Sequence, residues 1–254
     1  MLSQALGADL VVPALVFLRV GAMLAMLPGF SAAYVPLQIR LLLALAISIL
    51  VAPVVGTKLP TTMSEGSMLL FVINEGLVGL YLGTLARIIV SALHGAGSLT
   101  ATFASLANAL TNDPVAEQQS ATLAGFFSLF GLLAVFVTDL HHLMLQAIVA
   151  SYDVLPAGDA LPAGDLAATT ARLVADSFLL ALQLAAPFFV VGVGYQFALG
   201  LMSRLMPQLS VFFVGIPLQV GLQMWVITLT ISGIVLVFLN QFSQLMAALA
   251  LPPA

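Results

Sequence analysis

The sequence predicts an all-α protein of the integral-membrane type, a helical hairpin assembly of six to eight helices with broken or kinked segments. Three observations predict it. Only 6% of the 254 residues are charged, against about 25% in an ordinary soluble domain, too few to cover a water-facing surface. Hydrophobic residues make up 62% of the chain and the mean hydropathy is +1.18, so lipid or partner proteins must serve as its solvent. The apolar residues fall into six stretches separated by compact groups of turn residues.

The first stretch, Leu10 to Leu27, stops at Pro28 and Gly29, and Pro36 stands before the second, Leu41 to Val55. That second stretch is shorter than the roughly 20 residues a crossing helix needs, and Pro53, Gly56 and Pro60 close it. Met68 to Leu93 is long enough for one span. Asn112, Asp113 and Pro114 precede the fourth stretch, Ala121 to Ala150, and Pro156 to Asp165 separate it from the fifth, Leu173 to Leu201. The last, Val211 to Leu251, exceeds one span and is expected to hold a helical hairpin or one long helix with a break. No separate soluble domain is visible, so residues 1–254 read as a single domain.

Charge and motif content narrow the function classes. The chain has no Cys, which removes disulfides, thiolate metal ligands and a Cys nucleophile. A net charge of −4 from ten acids and six bases, without a run of either sign, argues against nucleic acid and against a polybasic lipid-binding patch. Met1 to Leu10 lack the basic opening of a cleaved signal peptide, so the N-terminus is expected to be retained. Arg40, Lys58, Arg172 and Arg204 lie near segment ends but give no orientation by the positive-inside rule, which points to unconventional insertion. There is no Gly-x-Ser-x-Gly elbow, no phosphate-binding loop and no dinucleotide fingerprint. No enzymatic role and no cofactor are expected.

Polar groups inside the apolar stretches are the candidate functional residues. Arg19 would cost roughly 2.5 to 3.5 kcal/mol facing lipid, so it must face protein or water. The same holds for Glu75 and Arg87, for Asp139, His141 and His142, and for Asp176. One reading pairs them inside a helical assembly; the other gives them a substrate or proton site. Glu75, Gly79 and Gly83 recur at i, i+4 and i+8, a face narrow enough for another backbone to approach. His141 and His142 are not expected to hold a metal, since adjacent residues on a helix point about 100° apart and His94 stands alone. Thr102 to Ser120 is the longest polar interruption, readable as a loop that lines or blocks a pathway or as a plain connection. Pro36-Leu37-Gln38-Ile39 and Pro217-Leu218-Gln219-Val220 form a short internal echo.

Several local patterns in order resemble the FliR/SctT family of type III secretion export-gate proteins. They are Phe17-Leu18-Arg19-Val20-Gly21, Leu27-Pro28-Gly29-Phe30, Val35-Pro36-Leu37-Gln38-Ile39-Arg40, Glu75-Gly76-Leu77-Val78-Gly79, Asp113-Pro114, Asp139-Leu140-His141-His142 and Ser151 to Gly158. The longest block runs from Ala198 through Ser203-Arg204 and Pro207 to Leu218. The resemblance implies a non-enzymatic conduit component that joins FliP-like and FliQ-like subunits, and an FlhB-like export protein, to pass unfolded export substrates. It implies the bacterial inner membrane and the flagellar basal body, contact with lipid and none with nucleic acid. It also implies a FliP-like N-terminal part and a FliQ-like C-terminal part.

At the position of the family's plug loop stand Phe103, Leu106, Asn108, Asp113 and Pro114. Many relatives carry a Met-Gly pair there where this chain has Leu106-Ala107-Asn108, so the role transfers and the contacts do not. Deletion of Ala104 to Asn112 is expected to leave assembly intact and open a leak. Assembly and packing are assigned to the charged or titratable Arg19, Arg40, Glu75, Asp139, His141 and Arg204, to Gly79 and Gly83, and to Pro28, Pro36, Pro187, Pro207 and Pro217. The competing expectation is a secondary transporter with a site at Glu75, Asp139 and His141.

Overall fold

The structure is a computed structural model that describes residues 2–32, 34–56, 65–104, 114–159, 161–205 and 211–250. Among these residues every regular element is a helix. They are α1 (Leu2–Met26), α2 (Leu37–Val55), α3 (Glu65–Phe103), α4 (Pro114–Val137), α5 (Leu140–Val154), α6 (Ala163–Leu205) and α7 (Val211–Ala250). The all-α expectation of six to eight helices is met with seven.

Helix boundaries follow backbone chemistry more than hydropathy. α1 closes with the Leu27 N–H on the Met23 carbonyl, and Gly29 then takes a left-handed φ of 86° that turns the chain. α2 starts directly after Pro36 (φ −57°) and has 19 residues, enough for a span where the apolar run alone looked short. The last stretch, left open as a hairpin or a broken helix, is one 40-residue helix with Pro217 inside its first two turns. Ala121 to Ala150 is instead two helices bent by 76° at Thr138 and Asp139. Asp139 sits there at φ 58°, ψ 13°, the described non-glycine residue with a positive φ. The loop expected over Thr102 to Ser120 is shorter: α3 runs through Phe103 and α4 starts at Pro114.

Among the described residues four helices are long and apolar enough to cross a membrane, or five spans if α4 and α5 count as one broken crossing. α3, α6 and α7 have 39, 43 and 40 residues, roughly 60 Å at 1.5 Å per residue. That is about twice the hydrocarbon thickness, so lipid cannot be the only environment of these helices.

The chain divides into two compact units, each drawn from separated stretches. Unit 1 comprises Met1–Ile89, Val135–Leu173 and Phe242–Ala254; unit 2 comprises Val90–Ala134 and Val174–Gln241. In unit 1, α1 packs on α2 and both touch α5. Its core includes Val16, Val20, Met23 and Leu24 of α1 and Leu27 just after it, with Val78, Leu82 and Leu85 of α3. In unit 2, Leu93, Ala96, Phe127, Leu184 and Phe188 are buried, and the Phe127 and Phe188 rings meet edge to face at 6.2 Å.

Candidate functional site

Unit 1 is built around Arg19. Its side chain has no exposed surface, and every guanidinium N–H has an acceptor. Nε and Nη2 donate to the two carboxylate oxygens of Glu75 at 2.7 and 2.9 Å. Nη1 donates to Ser151 Oγ at 3.1 Å, and Nη1 and Nη2 share the Leu155 carbonyl at 3.1 Å each. The guanidinium carbon also lies 3.8 Å from the centre of the Tyr152 ring, a cation–π contact. Leu155 caps α5, so Arg19 meets the carbonyl end of that helix, where positive charge is favoured.

The glycines on the Glu75 face explain how α1 and α3 come this close. A Cβ at Gly79 would collide with the Arg19 carbonyl oxygen, and one at Gly83 would lie 2.7 Å from the Met23 carbonyl oxygen and from Met26 Cβ. As the contacts advance from Glu75 to Gly83 they advance from Arg19 to Met26, so the two helices run side by side in the same direction. The backbone reached by this small-residue face is that of α1 in the same chain. Ser151, Tyr152 and Leu155 complete the cluster, and the sequence signals them only through the Ser151 to Gly158 motif.

The Asp139 region is a different kind of place. Because the chain turns at Asp139, ligand atoms of Asp139, His141 and His142 lie within 4.8 Å of one another. His141 and His142 are consecutive residues of α5 and keep the helical separation of about 100°; Asp139, outside that helix, is what brings a third ligand atom near them. The Asp139 and His142 side chains are 77% and 63% exposed, and the positive end of α5 faces the same point. These three residues could hold a cation in an open site, with Asp139 and His142 exposed and His141 partly buried, its Nδ1 without a hydrogen-bond partner. His141 stacks on Phe136 at 5.1 Å between ring centres. Glu75 has both oxygens on Arg19 and belongs to a separate cluster, so the transporter site of Glu75, Asp139 and His141 is not assembled.

In unit 2 the C-terminus of α3 is seated on α6 and α7. Gln219, 1% exposed, donates from Nε2 to the Phe103 carbonyl at 2.9 Å. Gly192 leaves room for that carbonyl, since a Cβ there would lie 2.9 Å from the oxygen and 3.2 Å from Phe103 Cβ. The Phe103 ring packs edge to face on Phe189 at 5.1 Å and 72°. One turn along α7, buried Gln223 donates to the Phe188 carbonyl at 3.3 Å, and its Oε1 is buried without a partner. In the sequence Gln219 is marked only by the Pro-Leu-Gln echo, and Gln223 and Gly192 carry no signal of their own.

Of the other marked residues, Pro28 is buried while Pro36 and Pro217 are exposed. Arg40 holds the turn before its own helix, Nη2 reaching the Ala32 carbonyl at 3.3 Å and the Val35 carbonyl at 3.5 Å. Pro187 lies inside α6 beside an open groove of about 600 Å³ with Gln183, Leu229 and Gly233. Arg204 is exposed in the last turn of α6, where it complements the helix dipole. Pro114 begins α4. Leu106, Asn108, Asp113 and Pro207 lie outside the described residues.

Comparison with known proteins identifies the class. Residues 10–245 match the family described as bacterial export proteins, family 1. A flagellar biosynthetic protein FliR of Caulobacter vibrioides is 39% identical over 236 residues, covering 92% of this chain and 94% of that protein. The protein of that name in Bacillus subtilis is 30% identical over 232 residues, covering 90% and 89%. The one in Escherichia coli is 28% identical over 201 residues, covering 79% and 77%. The match is collinear with the helices from α1 to α7, and the chain belongs to this family of bacterial export proteins.

Proposed function

We propose that the chain is a non-enzymatic structural and gating component of the flagellar type III protein export channel. It assembles with FliP-like and FliQ-like subunits and an FlhB-like export protein, in the bacterial inner membrane at the flagellar basal body, and unfolded export substrates pass through the assembly. The observation that carries this reading is the family match over residues 10–245, with relatives named for flagellar biosynthesis.

Two features support it. The buried charges Arg19 and Glu75 are fully used on each other and on α5, which is a framework role. Large apolar side chains stand exposed on α2 through α7, among them Leu50, Leu70, Leu129, Phe197 and Trp225, and helices about twice the membrane thickness need protein partners as well as lipid to cover them. In this reading residues 1–254 act as one FliR-like unit with a FliP-like first part and a FliQ-like second part. Phe103, Leu106, Asn108, Asp113 and Pro114 belong to a plug that helps close the channel at rest. The remaining assigned residues hold the subunit together or against its neighbours.

Affinity purification of the tagged chain from its native membrane in mild detergent tests the assembly. Recovery in a large complex with two small, apolar export-apparatus proteins is expected. Recovery alone, stable and monodisperse, overturns the reading.

A further inference from the structure

We propose that Gln219 and Gly192 form the seat that fixes the gating end of α3, so that Gln219 is a positioning residue for the closed channel. The inference rests on the plug reading above and names what holds the plug's stem in place.

The argument starts at the end of α3. The last carbonyls of a helix have no intrahelical donor and must be satisfied by water or by another group. Ala104 N–H closes on the Thr100 carbonyl at 2.9 Å, the last bond of the ladder among the described residues, and the Phe103 carbonyl is one of these end carbonyls. It receives a hydrogen bond from the carboxamide of Gln219, a side chain withdrawn from solvent on a mainly apolar helix. A buried amide in such a helix is unfavourable unless it is hydrogen-bonded, and this bond is the reason for its position.

The approach also requires Gly192. Any side chain there would occupy the space of the Phe103 carbonyl and Cβ. Phe189, one turn earlier on α6, then meets the Phe103 ring. Donor, floor and wall thus come from two helices and act on one residue, the last of α3 and the first of the assigned gating set. Gln219 makes no ion pair and the bond is neutral, so it restrains α3 without locking it. Loss of one such bond changes a two-state equilibrium about fivefold.

The test uses chromosomal variants in cells that assemble the complete export complex, with two readouts: leakage of a small solute across the membrane and the amount of assembled complex. Gln219→Met keeps the side chain's length and removes the donor. Assembly at the parental level is expected, with leakage per complex raised about fivefold. Deletion of residues 105–112 is expected to leak more, and the deletion combined with Gln219→Met is expected to leak no more than the deletion alone. Gly192→Ala pushes on the Phe103 carbonyl without touching Gln219 and is expected to leak as Gln219→Met does, which keeps the proposal testable if that variant assembles poorly.

A tight membrane in both Gln219→Met and Gly192→Ala, in a background where the deletion leaks, overturns the seat and leaves the plug standing. Additive leakage in the double variant also overturns it, because Gln219 would then act elsewhere. No leakage in the deletion strain removes the plug and the seat together.

Discussion

The two units are held by different chemistry. In unit 1 the interior carries both charged side chains that are buried among the described residues, Arg19 and Glu75, joined by two charge-assisted bonds. In unit 2 the buried polar groups are Thr100, Ser177, Gln219 and Gln223, neutral hydroxyls and amides that donate mainly to backbone carbonyls. A neutral bond contributes about 1 kcal/mol net, and one to a charged group roughly 1.5 to 3 kcal/mol. The difference teaches that unit 1 resists any partial opening, since separating Arg19 from Glu75 strands a charge, whereas a bond in unit 2 breaks and reforms at modest cost. The end of α3 that bears Phe103 lies in the unit with the weaker bonds.

The largest effect is expected from breaking the pair. Glu75→Ala leaves the Arg19 charge buried without its partner, which costs about 3 to 5 kcal/mol. Loss of the chain from purified complexes, seen by quantitative blotting, is the expected result. Replacing both, Arg19→Leu with Glu75→Leu, should recover part of the yield, because two apolar groups leave no charge unpaired. A double variant as depleted as the single one would show that Ser151, Leu155 and Tyr152 need the guanidinium for themselves, and the comparison would then rest on a larger network than one ion pair.

Next comes the spacing that lets the pair form. Gly79→Ala puts a methyl group into the Arg19 carbonyl, and Gly83→Ala puts one 2.7 Å from the Met23 carbonyl. Overpacking of this kind costs roughly 1 to 3 kcal/mol, or several degrees in the thermal midpoint of the detergent-solubilised chain. Gly76→Ala, on the same helix with nothing within 4 Å of its new methyl group, should leave the midpoint unchanged or raised. Equal losses at Gly76 and Gly79 would mean that α3 objects to lost glycine flexibility rather than to crowding against α1.

How much of this was legible depends on what each residue has to do. Arg19 and Glu75 stood out because hydrocarbon excludes charge, and the period of four from Glu75 through Gly83 marked the face on which they meet. The length of α3 was hidden, because hydropathy falls after Leu93 while the helix continues: Gly97 and Ala101 are buried there, and a Cβ at Gly97 would lie 2.6 Å from the Ala124 Cα. Small residues that weaken an apolar signal are what that packing requires. The bend between α4 and α5 was hidden for the opposite reason. It has no Gly or Pro, and Asp, although it enters the left-handed region more readily than most residues, does so too rarely to announce a bend by itself. The seat of Phe103 was half visible, as an echo with no stated purpose, since a carboxamide reveals its role only when the carbonyl it serves is known.

The smallest effect is expected at the other half of that echo. Gln38 and Gln219 occupy the same place in their Pro-Leu-Gln tetrads, each two residues after a proline, yet Gln38 is exposed near the start of α2 and Gln219 is 1% exposed on α7. Removing an exposed carboxamide from a helix surface changes stability by no more than about 0.5 kcal/mol. Gln38→Leu should therefore leave the thermal midpoint of the solubilised chain within experimental error, while Gln219→Leu lowers it by the few degrees that about 1 kcal/mol represents. Measuring both in the isolated chain separates fold from assembly. A matching loss at Gln38 would mean that the echo marks a common structural need and that the neutral bonding of unit 2 has a counterpart in unit 1. A normal midpoint with a lower complex yield for Gln38→Leu would instead place the exposed half of the echo against a neighbouring subunit, leaving the contrast between the two units intact.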